Sequence, residues 1–402
     1  MEVNVPHIAN FNPSSIMAVE KIDREKSVRL EWNDGCESKY PYIWLRENCR
    51  CSSCYHGASK MRLIPIANLA IDVLPEKVWQ DDNINGQGIS ISWSDGHHSH
   101  YSSTWLRQFQ FSDEPQKKRL KLWGSDLQGN IPSYKFGDIL ESDAILLEWL
   151  ESLRDVGLVL TKNVPTVPGQ LSRLSKRVAP IRMTNYGHEF SVLSKHDPSN
   201  LAYTGAKLAL HTDLPQYAYS PGIQLLHCIA QTSYEGGVSE FADGINAAMQ
   251  LKEQDPKAFH ILATTMVDFI DTGTDAYQFH LKYSRPLFTL NTYGDVDKVH
   301  YNNGVRDSSL RLPLDKVYDF YNALKAYDKL LYSHKNLVTI KLEAGDMIMF
   351  NNARTLHGRS QYQIDEGTSG TRHLEGCYFD WDEVYSRIRV LRESLEMPHR
   401  EY

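Results

Sequence analysis

Polar and apolar residues alternate with the two-residue period of strands in two early stretches that echo each other. Val28-Arg29-Leu30-Glu31-Trp32 runs into Asp34-Gly35 and returns through Ser38 and Tyr40 to Trp44-Leu45-Arg46. Ile89-Ser90-Ile91-Ser92-Trp93 runs into Asp95-Gly96 and returns through Ser99 and Tyr101 to Trp105-Leu106-Arg107. Every one of Trp32, Asp34, Gly35, Tyr40, Trp44, Leu45 and Arg46 recurs 61 positions later. An Asp-Gly pair accepts the positive φ of a tight hairpin turn, so each copy predicts a hairpin. The matched Trp-Leu-Arg marks a duplication, and residues 1–110 are expected to form a small β domain. The polar run from Ser112 to Arg119 reads as the start of a linker, taken as 111–135.

Farther on, the period becomes helical. Ser142-Asp143 precedes Leu146, Trp149, Leu150 and Leu153, and Gly157 follows, which predicts a helix capped at both ends. Strand-like Leu158-Val159-Leu160-Thr161 comes next. A second helix is expected over roughly Asp315 to Tyr332. A third begins at Asp380, where Glu383 three residues on completes a capping box. Short β-rich runs lie between, such as Leu337 to Ile340 and Met347 to Phe350. Helices flanking many short strands predict a mostly β domain over 136–402, a double-stranded β-helix or jelly roll with its site at the open mouth.

Composition narrows the function classes. With 402 residues and 41% hydrophobic content there is material for one large or two unequal domains. A net charge of −7 and a pI near 6.1 give no electrostatic footprint for nucleic acid or an anionic membrane surface. Apolar runs are strand-length, far below the ~20 residues that span a bilayer. Met1 to Asn12 lacks the pattern of a secretory signal or a mitochondrial presequence, so a cytoplasmic protein is expected. Of the six cysteines, three sit in Cys49-Arg50-Cys51-Ser52-Ser53-Cys54, which suits a reducing compartment and metal binding. The second hairpin places His97 where the first has Cys36. Three thiolates and one imidazole make a closed Cys3His zinc site that contributes folding energy, with Cys36 and His98 as spare candidates for the fourth ligand.

The chemistry concentrates elsewhere. His211-Thr212-Asp213 puts an imidazole and a carboxylate on one face of a strand end. His357, in Asn352-Ala353-Arg354-Thr355-Leu356-His357-Gly358, can supply the third ligand of the two-histidine, one-carboxylate triad that holds non-haem Fe(II). Arg372 lies fifteen residues further on. Its planar fork is suited to the distal carboxylate of a 2-oxo-diacid cosubstrate.

These segments, with Tyr186-Gly187-His188, Leu201-Ala202-Tyr203-Thr204-Gly205, Gly222-Ile223-Gln224-Leu225-Leu226-His227-Cys228 and Arg372-His373-Leu374-Glu375-Gly376-Cys377-Tyr378, are telling together. The chain resembles the γ-butyrobetaine hydroxylase/trimethyllysine dioxygenase family of Fe(II)/2-oxoglutarate oxygenases, from about Trp32 to the last helix. The resemblance implies a jelly roll, iron on His211, Asp213 and His357, and 2-oxoglutarate held by Arg372 with Leu226 beside it. Structural zinc on Cys49, Cys51, Cys54 and His97 follows in the same way. It further implies an aromatic cage of Tyr186, Phe190, Tyr203 and Tyr378 for a quaternary ammonium, and Asn200 and Asn302 toward the substrate's carboxylate. Ascorbate as reductant, O2 as oxidant and a homodimer are part of the same expectation, with neither nucleic acid nor membrane as partner. Two positions depart from the pattern: Phe190 stands where the family has Trp, and Leu214 where it has a carboxylate-holding Tyr.

The favoured expectation is hydroxylation of γ-butyrobetaine to L-carnitine, coupled to decarboxylation of 2-oxoglutarate to succinate and CO2. The alternatives are a trimethyllysine dioxygenase or a hydroxylase of another quaternary-amine acid. Outside catalysis stands a zinc-binding interaction module with an inactive jelly roll. Four matched residues, the triad plus Arg372, weigh against the last.

Overall fold

The structure, a computed structural model, describes residues 15–82, 87–111, 120–193, 204–232, 235–363 and 372–397. The chain divides into two compact units, Met1–Lys117 and Lys118–Tyr402. Among the described residues no helix is long and apolar enough to cross a membrane.

The first unit realises the sequence repeat. One three-stranded sheet joins Ile16–Ile22, Ser27–Trp32 and Glu37–Pro41, and another joins Pro75–Asp81, Gly88–Trp93 and His98–Ser102. Each is followed by a short helix, Tyr42–Glu47 or Ser103–Gln108. The turn glycines Gly35 and Gly96 take φ of 79° and 77°, the left-handed conformation expected of Asp-Gly. The repeated residues then bond across the two copies. Tyr40 donates to the Leu106 carbonyl at 2.6 Å, and Tyr101 donates to that of Leu45. Arg46 pairs with the turn residue Asp95 at 2.9 Å, and Arg107 with Asp34 at 2.5 Å. Each copy thus satisfies the polar groups of the other. The tryptophans Trp32 and Trp93 are buried between them, their indole N–H groups on Ser38 and Ser99.

The second unit is built on two sheets. One has the order Glu189–Leu193, His373–Phe379, Ile223–Ala230, Met347–Asn351, Leu158–Lys162, Ser133–Lys135; the other runs Leu208–His211, Thr355–Arg359, Ser239–Asp243, Val338–Ile340. Take, in chain order, the eight strands of these two sheets that lie from Glu189 onward. The first sheet then holds the first, eighth, third and sixth, and the second sheet the second, seventh, fourth and fifth, all antiparallel. That interleaving is the jelly roll expected from the sequence. Residues 120–135, read as linker, are part of this unit instead. Trp123 is buried with its indole donating to the Val156 carbonyl at 2.7 Å, and Ser133–Lys135 pairs in parallel with the strand at Leu160. The polar run 112–119 lies outside the described residues.

The predicted helices form, with one correction. Asp143–Val156 starts on a Ser142 side chain that accepts from the Ile145 N–H, and it ends at left-handed Gly157. Val317–Leu331 covers the second. Trp381–Ser394 begins after Asp380, but no capping box closes there: the Asp380 carboxylate is taken by Arg182. A guanidinium offers a charged partner, which outcompetes a backbone N–H for a carboxylate.

Period-two alternation decides what faces the space between the sheets. Ile223 and Leu225 point outward into a core backed by the helices, while Gln224, Leu226 and Cys228 point inward. On the eighth strand Cys377 and Phe379 go outward, leaving Leu374, Gly376 and Tyr378, together with Arg372 just before it, on the inner face.

Candidate active site

The second strand ends at His211, and its register partner on the neighbouring strand is His357. Their rings lie 4.2 Å apart between centroids. Asp213 follows one buried residue later, its Oδ1 at 3.1 Å from His211 Nε2 and 3.9 Å from His357 Nε2. The ligand atoms of all three lie within 4.8 Å of one another. The tripeptide is clamped in place. The Asp213 N–H donates to Asn352 Oδ1 at 2.7 Å, and Asn352 Nδ2 returns a bond to the Asp213 carbonyl at 2.9 Å. His211 Nδ1 lies 2.8 Å from the Ala209 carbonyl, so a proton there leaves Nε2 as the ligating atom.

Burial and neighbouring charges hold two of the three groups in the form a dication needs. Burial, then the adjacent His211, pushes the His357 imidazole down to about 3, which keeps it neutral and able to donate a lone pair. Burial alone would raise the Asp213 carboxyl, but His357, His211 and the Tyr378 hydroxyl outweigh it and hold the group ionised. His357 Nδ1 is buried with no hydrogen-bond partner among the described residues. Two imidazoles and a carboxylate brought to one point fit Fe(II), a borderline ion that takes this mixed N/O set.

The triad opens into a cavity of about 750 Å³ that also contains Arg372, Leu226, Tyr186, Phe190, Asn302 and Tyr378. Arg372 is 4% exposed, and its Nε has no hydrogen-bond partner among the described residues. Burial, then the nearby Arg359, lowers its guanidinium to about 10, while Tyr362 opposes the shift. Among the described residues no carboxylate pairs with it, and a buried cation left so in a cavity wall is suited to an anion. Arg359 was not foreseen from the sequence.

Among the cage residues, Tyr186 and Phe190 pack at 5.6 Å and Phe190 and Tyr378 at 5.4 Å between ring centroids. Gly376 makes room for this: a Cβ there would lie 2.4 Å from Phe190 Cζ. Tyr378 also donates to Asp213 Oδ2 at 2.7 Å, a contact no sequence pattern signalled. Asn302 uses its amide locally, Nδ2 on the Thr212 carbonyl and Oδ1 on the Gly304 N–H. Asn200 and Tyr203 lie outside the described residues. Leu214 is buried at φ 57°, an uncommon backbone for a leucine, beside the triad.

In the first unit, His97 Nε2 stands 3.2, 3.6 and 3.4 Å from the sulfurs of Cys49, Cys51 and Cys54. Those separations match the roughly 3.5 Å edge of a tetrahedron with metal–ligand bonds of ~2.1–2.3 Å. Burial, then Arg46, lowers the His97 imidazole, favouring the neutral ligand form. Neither Cys36 nor His98 joins this group.

Similarity to known proteins follows the same lines. Residues 106–378 match the taurine catabolism dioxygenase TauD, TfdA family, and residues 19–120 match the γ-butyrobetaine hydroxylase-like N-terminal family. Human γ-butyrobetaine dioxygenase is 38% identical over 95% of this chain and 98% of its own. The γ-butyrobetaine dioxygenase of a Pseudomonas species is 34% identical over 91% and 94%, and a trimethyllysine dioxygenase of Meyerozyma guilliermondii 28% over 91% and 93%. With a jelly roll, a converged His-Asp-His group and this likeness along nearly its whole length, the chain belongs to the TauD/TfdA dioxygenase family.

Proposed function

We propose that this dioxygenase hydroxylates γ-butyrobetaine to L-carnitine, converting 2-oxoglutarate and O2 to succinate and CO2. The observation that carries the reading is the joint placement, in one cavity, of the triad, a buried cation and an aromatic wall. Iron(II) held by His211, Asp213 and His357 supplies O2 activation and oxidation of an unactivated C–H bond. The protein's share is positioning. Arg372 pairs with the distal carboxylate of 2-oxoglutarate, and Leu226 covers the apolar stem. Tyr186, Phe190 and Tyr378 turn ring faces to the trimethylammonium group, each good contact worth ~0.5–2 kcal/mol. Asn302 Nδ2 keeps a second N–H for the substrate carboxylate. The Cys49, Cys51, Cys54 and His97 group takes zinc, which staples the small first unit.

A second reading, an amino-acid substrate such as N6-trimethyllysine, has one observation in its favour. Asp271 shares the inward parity of Val267 and Phe269 and lines the cavity. It accepts from Gln216 at 3.2 Å and forms no ion pair among the described residues, so an α-ammonium would suit it. The decisive experiment supplies anaerobically prepared protein with Fe(II), 2-oxoglutarate, O2 and a panel of trimethylammonium acids, and measures succinate and product mass. γ-Butyrobetaine should give coupled turnover and a product heavier by one oxygen. Its neutral tert-butyl isostere should bind several-fold more weakly, following ~1–2 kcal/mol of cation–π attraction. Equal binding of the isostere would sink the cage, and selective turnover of trimethyllysine would move the assignment to the second reading.

A further inference from the structure

We infer that Tyr378 is a positioning residue for the metal as well as a wall of the cage: its hydroxyl ties down one oxygen of Asp213 so that only the other faces the histidines. This rests on the iron reading above. The two carboxylate oxygens have different neighbours. Oδ1 stands 3.1 Å from His211 Nε2, whereas Oδ2 accepts from the Tyr378 hydroxyl at 2.7 Å.

The rest of Asp213 has little freedom. Its N–H and carbonyl are both bonded to the Asn352 side chain, at 2.7 and 2.9 Å, and Asn352 is itself anchored on the Pro221 carbonyl at 2.9 Å. The following residue, Leu214, is held left-handed by bonds to its carbonyl from the Tyr217 N–H and the Ser220 hydroxyl. What remains loose is the carboxylate's own rotation, and the phenol removes it. Tyr378 is in turn immobilised: it is 1% exposed, sits within a strand opposite Gln224, and packs against the Phe190 ring at a tilt.

Two consequences follow from the chemistry. A carboxylate with one oxygen committed to a phenol binds a metal through the other alone, which leaves one more position for cosubstrate or O2 than a chelating carboxylate would. The hydrogen bond also favours the ionised form that a ligand needs. One side chain thus serves both parts of the site, its ring against Phe190 in the wall and its hydroxyl on Asp213.

Tyr378→Phe separates the roles, since it keeps the ring and its volume and deletes only the hydroxyl. Binding of Mn(II), which prefers oxygen and nitrogen ligands over the thiolate group, is followed by loss of the free-ion electron paramagnetic resonance signal. Tyr378→Phe should weaken Mn(II) binding ~10–100-fold, the usual effect of losing a partner that orients a ligand. The Fe(II) needed for half-maximal turnover should rise in parallel, with the KM for the amine at saturating iron within about twofold of wild type. Phe190→Leu should do the reverse, raising the amine KM and leaving Mn(II) affinity alone. Mn(II) affinity unchanged in Tyr378→Phe, or a rise in amine KM only, would overturn the inference. Wild-type Mn(II) binding that survives His211→Ala would overturn the iron reading beneath it, a failure recognisable by its independence of Tyr378.

Discussion

Removing Arg372 should relieve the protein without cosubstrate and cripple it with cosubstrate, so Arg372→Met makes two opposed demands. The guanidinium is 4% exposed and lowered well below its ordinary value to about 10, by burial first and then by Arg359. The unfolded chain therefore holds this proton more tightly than the fold does. The penalty is fully present below pH 10 and fades only as pH climbs above 10 toward the group's ordinary value. At ~1.4 kcal/mol per tenfold in proton affinity it amounts to about 3 kcal/mol at neutral pH. Contact with the Tyr362 ring, 5.9 Å away, returns part of that; a cation–π pair is worth ~0.5–2 kcal/mol. Arg372→Met should thus raise stability at pH 7 by about 1–3 kcal/mol, or ~2–10 °C in melting temperature. Bound 2-oxoglutarate reverses the sign. Losing one partner of a buried charge pair costs about 2–5 kcal/mol, which corresponds to a rise in KM for 2-oxoglutarate of roughly 30- to several-thousand-fold. The KM for the amine should change little. Differential scanning fluorimetry with and without 2-oxoglutarate, together with KM for each substrate, reads all of this. A variant that melts lower than wild type and still gains a full thermal shift from 2-oxoglutarate would refute the assignment.

Other perturbations test the scaffold. Arg354 is fully buried with Asp243, donating through Nη2 at 2.7 Å and Nε at 3.2 Å, and Asp243 also caps the helix at Ile245. Arg354→Met should lower unfolding free energy by about 3–5 kcal/mol in urea denaturation by stranding that carboxylate, and a loss under 1 kcal/mol would show the pair to be dispensable. Cys51→Ser should lose the zinc measured by elemental analysis and lower the melting temperature, whereas mild chelation should strip iron with circular dichroism unchanged; retained zinc would remove the Cys3His site. Gly376→Ala drives a methyl into the Phe190 ring, so the amine KM should rise several-fold with that for 2-oxoglutarate steady; an unaltered amine KM would place Phe190 outside the substrate wall.

What the sequence determined is what short stretches of chain decide for themselves. The hairpins follow from alternation and an Asp-Gly turn within a few residues, and the helix Asp143–Val156 carries its own caps at Ser142 and Gly157. The repeat at 61 residues announced the duplicated unit, and the residue types of His211, Asp213, His357 and Arg372, read together with the family resemblance, marked out the candidate site. Beyond that, long-range pairing took over. The Asp380 cap was lost to Arg182, a partner 198 positions away that no local rule weighs. Tyr378 reaches Asp213 across 165 residues, Asn352 clamps it across 139, and Arg354 meets Asp243 across 111. Residues 120–135 read as linker because their partners lie on other strands. Each of these contacts depends on strand order and register, which are set by burying one face of every strand at once, and a one-residue slip would turn all of them to the opposite face. Local energetics determine which elements form, and the shared burial of the two sheets determines which side chains meet.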